Sequence, residues 1–130
     1  MIEQTALNVT EWYYHPPMNP GNEDEKLACF VTFDVMKKRA STKKGIACRF
    51  SCRYVIGKET ILEYIADDSY VIDLEDQIDK NELMIMIRNS YSKFNDEFDS
   101  RKMGTFLQNK TLMPLDETTI DHEPILQMLV

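Results

Sequence analysis

Histidine, glycine and cysteine are scarce in this 130-residue chain, and each scarcity removes a class of function. The two histidines, His15 and His122, stand in no spacing that pairs them with a nucleophile or a ligand set. A triad or metal site needs a base held by an orienting partner. The four glycines, Gly21, Gly45, Gly57 and Gly104, are isolated. They suit turns, and no glycine-rich phosphate loop is present. Three cysteines, Cys29, Cys48 and Cys52, are an odd set that suggests no disulfide framework. Cys48 and Cys52 permit a zinc reading with His15 or His122. On an alternating strand, however, they would stand about 13 Å apart, too far for one tetrahedral ion. Buried free thiols acting as small apolar residues are expected instead. No catalytic residue, metal or cofactor is expected.

Long apolar runs and a basic excess are lacking as well. No stretch of about 20 apolar residues exists, so no membrane span is expected. The N-terminal residues, MIEQTALNVTEW, lack the charged start and apolar stretch of a signal peptide, which makes the cytoplasm the expected compartment. Fifteen Lys+Arg stand against 22 Asp+Glu, a formal net charge of −7. A nucleic-acid partner, which calls for a basic patch, is not expected.

What is present points to one folded domain over residues 1–130. Hydrophobic residues make up 43% and charged residues 28%, the balance of a globular chain. This length supports a single core without a metal or disulfide. Residues 1–14 end in the aromatic run Trp12-Tyr13-Tyr14, and a strand ending at Tyr14 is expected. Residues 15–26, HPPMNPGNEDEK, form the clearest loop, because proline cannot donate to a strand ladder. Residues 27–37 alternate with Leu27, Cys29, Val31, Phe33 and Val35 on one face. Residues 46–56 alternate most cleanly. Ile46, Cys48, Phe50, Cys52, Tyr54 and Ile56 share one face, while Ala47, Arg49, Ser51 and Arg53 share the other. The arginines should meet solvent or acidic neighbours. After a Gly57-Lys58 turn, residues 59–66 and 69–74 are both β-rich. Asp67-Asp68 between them reads equally as a bulge, a bend or a turn.

The period then changes. Asp79, with Glu82 three residues on, opens a helix. Leu83, Met86, Ile87, Tyr91, Phe94 and Phe98 form its apolar stripe, widened by Met84 and Ile85, and Gly104 marks the stop. Lys93, Asp96, Glu97, Arg101 and Lys102 take the other side. The helix would run about 24 residues, on the order of 36 Å, so part of its stripe is expected to meet another subunit. Pro114 breaks the tail, and Pro124 to Leu129 reads as a short terminal helix opened by Asp121. The fold class expected is α+β: an antiparallel sheet of about four strands, a meander plus an N-terminal strand, packed with one long and one short C-terminal helix.

Three features are candidates for function. Trp12, Tyr13 and Tyr14 cannot all face one side of a strand, so at least one is exposed or lies under the proline loop. With Met18 in that loop and Phe30 opposite the dry face of its strand, they are the candidate polypeptide contacts. The acidic residues Asp67, Asp68, Asp73, Glu75, Asp76 and Asp79 lack calcium-loop spacing. They read as solvated turn and helix-start charge, or as a surface for one basic protein partner. Lys37, Lys38, Arg39, Lys43 and Lys44 read as a solvated hairpin tip that discourages edge pairing.

The order of elements, with Leu62-Glu63-Tyr64-Ile65-Ala66 through Tyr70-Val71-Ile72, the aliphatic helix start from Glu82 to Ile87, and Leu112-Met113-Pro114-Leu115, resembles the SecB-like family of export chaperones. The resemblance covers about residues 27–126. The family's Phe-Pro-Tyr run is absent from the helix, where Ile85-Met86-Ile87-Arg88 and Ser90-Tyr91 stand, and Asp67-Asp68-Ser69 replaces a glycine before an aromatic pair. The resemblance implies a non-enzymatic protein-binding module that holds unfolded or partner polypeptides in apolar grooves. It also implies a homodimer or homotetramer, with some relatives guarding a single partner such as an antitoxin. The alternative is a dedicated adaptor or antagonist that binds one basic protein through the acidic 67–79 segment.

Overall fold

The computed structural model describes residues 2–4, 6–18, 27–39 and 43–128. The fold is α+β. Five strands, β1 (Ile2–Gln4), β2 (Asn8–Tyr14), β3 (Leu27–Arg39), β4 (Lys43–Ile56) and β5 (Glu59–Asp73), form one antiparallel sheet. Two helices follow, α1 (Lys80–Arg101) and α2 (His122–Met128), with a 3-10 turn at Glu117–Thr119 between them. β3, β4 and β5 are the expected meander. β1 and β2 pair at different points along the far edge of β5, so the sheet is four rows wide. Gly57, with a φ of 58°, allows the tight β4–β5 turn that an L side chain would strain.

Asp67-Asp68 interrupts nothing. β5 is one continuous strand of 15 residues, and its even members from Leu62 to Ile72 point into the core. The strand absorbs both aspartates because each finds a cation. Asp67 faces outward and takes Arg49 Nε and Nη2 at 2.7 and 2.9 Å. Asp68 faces inward at 0% exposure, accepting from Ser90 Oγ at 2.7 Å and Lys93 Nζ at 3.1 Å. The expectation of solvated turn charge is therefore corrected for Asp68.

Helix α1 begins where expected. Asp79 accepts from the Glu82 amide at 2.8 Å, relieving one unpaired donor of the first turn. The helix ends at Arg101 with Lys102 as its cap, and Gly104 turns the chain at a φ of 79°. Its stripe packs on β4 and β5 through aromatics. Phe94 stacks on Tyr64 with ring centres 4.2 Å apart, and Phe98 stacks on Tyr54 at 5.9 Å. Phe50 meets Phe94 at 5.4 Å, and Trp12 meets Tyr64 edge-on at 5.2 Å. Such offset and edge-on pairs add about 0.5–1.5 kcal/mol each beyond their burial. The Tyr64 and Tyr70 hydroxyls donate to the Phe94 and Met86 carbonyls, both at 3.0 Å, so neither phenol is buried unpaired.

Several expectations about α1 and its neighbours are corrected. The stripe from Leu83 to Phe98 is buried within one chain, because the long β5 offers a floor that matches the helix. No second subunit is needed to cover it. Ile85 points to solvent, whereas Lys102 is buried and donates to the Lys110 carbonyl at 2.7 Å. Lys44 is also buried, with its ammonium on the Asp76 carbonyl at 2.9 Å, so it is no part of a solvated tip. The side chains of residues 37–39, and all of residues 19–26, lie outside what is described.

Candidate functional site

Strand β3 pairs with β4 along all thirteen of its residues and, among the described residues, with nothing else. It is the outer edge of the sheet. Helix α1 sits over β4 and β5, so the inward side chains of β3 lie beyond the helix. Leu27, Cys29 and Val31 are consequently only half-buried, although Tyr54 and Cys52, the register neighbours of Cys29 and Val31, are fully covered.

The C-terminal connection roofs this strip. The Tyr91 hydroxyl donates to the Met113 carbonyl, which ties the connection to α1. Arg88 clamps Glu117 with two parallel bonds, one of them 2.8 Å from Nη2 to Oε2. The Arg88 guanidinium also holds the Glu117 carboxyl below the usual carboxylate range. His122 meets the Met84 sulfur at the start of α2. Between roof and sheet lies a groove of about 540 Å³. Its floor is Cys29, Val31 and Phe50. Tyr91 and the run Met113-Pro114-Leu115 form one wall, and Ile120, Pro124 and Ile125 form the other. Three carboxylates, Asp34, Asp116 and Asp121, stand on its rim. Asp116 also accepts from the Thr118 amide at 3.1 Å and Asp121 from the Glu123 amide at 3.3 Å, so these acids shape the roof as well as charge it.

The described lining holds no histidine, lysine or arginine. It offers apolar contact, a strand edge and negative charge, which suits binding rather than proton transfer. Burial pushes the Tyr91 phenol up to about 12 and the Cys48 thiol up to about 12, away from acid–base work near neutrality. Among the described residues no group of three His, Cys, Asp or Glu side chains could hold a metal ion.

The five candidate contact residues are divided by the fold. Trp12 and Tyr14 point inward. Trp12 lies on Tyr64 and beneath Arg101, whose guanidinium carbon sits 5.6 Å from the ring centre. The Tyr14 hydroxyl accepts from the Phe106 amide at 2.8 Å. Tyr13 and Phe30 point outward and are 55% and 56% exposed. They end one cross-strand row, Tyr13–Glu63–Arg53–Phe30, and stand about 14 Å apart across three strand spacings. Met18 is exposed in the loop, where its amide donates to Glu59 Oε1 at 3.0 Å. None of the five lines the groove. The groove residues of the tail, from Met113 to Ile125, were missed because the segment has no periodicity. The one available signal was the inward register Leu27-Cys29-Val31, left uncovered by a helix whose stripe already matched β4 and β5.

No family model and no curated protein matches the sequence. Solved structures do. One is a SecB-like chaperone of Mycobacterium tuberculosis in complex with a peptide from an antitoxin. It superposes with a TM-score of 0.54 at 14% identity, over 88% of this chain and 90% of that one. A second is a Streptococcus agalactiae protein of unknown function, with a TM-score of 0.47 at 10% identity over 89% and 97%. The chain thus shares the fold of a SecB-like chaperone.

Proposed function

We propose that this protein is a non-enzymatic polypeptide-binding module that holds an extended apolar segment against β3. The observation that carries the reading is an apolar groove lying directly beside a thirteen-residue edge strand. An extended segment added to that edge satisfies its main chain by strand pairing. Its side chains alternate, one set entering the groove and the other lying beside Phe30 on the outer face. Phe30 thus belongs to the contact, while Tyr13 and Met18 extend it only for a client that continues past the edge. Trp12 and Tyr14 support the site through the core. The acidic rim favours apolar segments that carry lysine or arginine. The shared fold with a chaperone solved around an antitoxin peptide supports a polypeptide as the ligand. Assembly into a homodimer or homotetramer belongs to the same reading and is checked by sedimentation.

The adaptor reading through residues 67–79 has weaker support, because Asp67, Asp68 and Asp79 are engaged by Arg49, by Lys93 and by the helix start. Light scattering of a chemically denatured client tests the proposal. The protein at a stoichiometric ratio should suppress aggregation, and Val31→Asp in the groove floor should abolish that effect while the fold persists by circular dichroism. Equal suppression by Val31→Asp would sink the groove as the site.

A further inference from the structure

The groove floor contains a feature that peptide binding does not require. Cys29 and Cys52 are diagonal neighbours across β3 and β4, since Cys29 faces Tyr54 and Cys52 faces Val31. Their sulfurs lie 4.0 Å apart. Cys29 lines the groove and is half-buried, whereas Cys52 lies beneath it at 2% exposure. One thiol is thus open to a small reagent, and the second sits within reach of the first behind it.

We propose that Cys29 is a thiol-exchange site with Cys52 as its resolving thiol, through which a low-molecular-weight disulfide closes the groove reversibly. The Cys29 thiolate attacks one sulfur of the reagent RSSR. This forms a Cys29–S–S–R mixed disulfide and expels one RS⁻, which takes up the Cys29 proton. The Cys52 thiol then loses its proton and attacks the Cys29 sulfur, expelling the second RS⁻ as RSH. Two cysteine thiols are oxidised by two electrons and one RSSR is reduced to two RSH, so the exchange balances.

The local chemistry favours this division of labour. The Cys52 thiol, and after it the Tyr54 hydroxyl, donate to Cys29 and lower its pKa to about 7 against the opposing effect of burial. Cys52 is pushed the other way, mainly by that same bond to Cys29 and by burial. Capping Cys29 removes its charge, which leaves burial as the remaining restraint on Cys52. Cys48, on the same inner face but fully buried, is the built-in inert control.

The link would also change the groove. Diagonal Cα atoms stand about 7–8 Å apart in a regular pair. A disulfide prefers about 5.5–6 Å and tolerates little beyond about 7 Å. Closing it therefore pulls β3, which carries Cys29 and Val31 of the floor, toward β4 and reshapes the groove. It also leaves a strained bond, of the kind that is readily reduced.

The regulatory part rests on the groove reading above, whereas the chemistry does not. The test treats the reduced protein with oxidised glutathione and follows intact mass and non-reducing peptide maps. The wild type should lose two hydrogens, with Cys29 joined to Cys52 and Cys48 untouched. Cys52→Ala should stop at a glutathione adduct on Cys29, and Cys29→Ser should not react. A wild type that forms no adduct and no cross-link overturns the site. So does an adduct that persists without cross-linking, or Cys48 reacting as fast as Cys29. Client holding is then compared in reduced and cross-linked protein, where at least a several-fold loss on cross-linking is expected. Equal holding in both forms overturns the closure. If neither form holds a client while the cross-link forms, the binding reading fails and the thiol chemistry stands.

Discussion

Lys93→Met is the most informative single change to the fold. It removes the ammonium 3.1 Å from Asp68, a carboxylate with no exposed surface that otherwise accepts from Ser90 Oγ. Breaking a buried ion pair by deleting one partner costs about 3–5 kcal/mol, because the remaining charge stays out of water. The side removed matters. The Lys93 side chain is 35% exposed and that of Asp68 0%, so a lysine left alone can turn to solvent while an aspartate cannot. Lys93→Met should therefore lie near the top of the range, about 4 kcal/mol, and Asp68→Asn lower, about 2 kcal/mol, because its amide still meets Ser90. At about 4 °C per kcal/mol for a chain of this length, the melting temperature should fall by about 15 °C and about 8 °C respectively. Replacing both with apolar residues, as Asp68→Leu with Lys93→Met, should recover most of the loss. Urea denaturation followed by Trp12 fluorescence measures all three. A Lys93→Met protein within about 0.5 kcal/mol of the wild type, the range of an ordinary surface change, would refute the reasoning.

Phe94→Ala should cost about 3–5 kcal/mol, since it empties a fully buried site that stacks on Tyr64 and touches Phe50; the urea midpoint reports it. Asp79→Ala should cost about 1 kcal/mol through the lost bond to the Glu82 amide, and Asp79→Ser should restore most of it. Alkylation of Cys29 should rise as pH climbs through about 7 and level off above, because the thiolate reacts and Cys52 and Tyr54 stabilise it. Tyr54→Phe removes one of those donors, so the midpoint read by mass spectrometry should move to higher pH; an unchanged midpoint would remove Tyr54 from the account.

Much of this architecture was legible because local period and burial agree. The alternation of residues 46–54 and the stripe from Leu83 to Phe98 face each other as the sequence reads. Three of the departures share one cause, in that a charged side chain does not imply solvent. Asp68, Lys44 and Lys102 are buried because a distant partner accepts or donates: Lys93 and Ser90, the Asp76 carbonyl, and the Lys110 carbonyl. Apart from the Lys102–Asp99 pair at 2.8 Å, one helical turn apart, no window of a few residues contains the pairings that bury them. The groove was hidden for a related reason. It is made by an aperiodic tail crossing an edge strand that the helix leaves uncovered, so it belongs to topology rather than to any motif. The cysteine pair was invisible until the β3–β4 register set Cys29 beside Cys52 rather than Cys48 beside Cys52.

Strand β5 is bordered on both sides, by β4 along its length and by β1 and β2 on the other flank. On the ribosome this imposes a sequence of events. Ile2 is made well before its partner Ile72, which lies near the end of the meander's last strand. The β3–β4–β5 hairpins close short loops and can form early, whereas docking the N-terminal strands must close a far longer one. Until then the half of β5 that will receive Trp12 presents a bare strand edge. The nascent chain is therefore most in need of protection when its own first strands are already outside but have nowhere to pair.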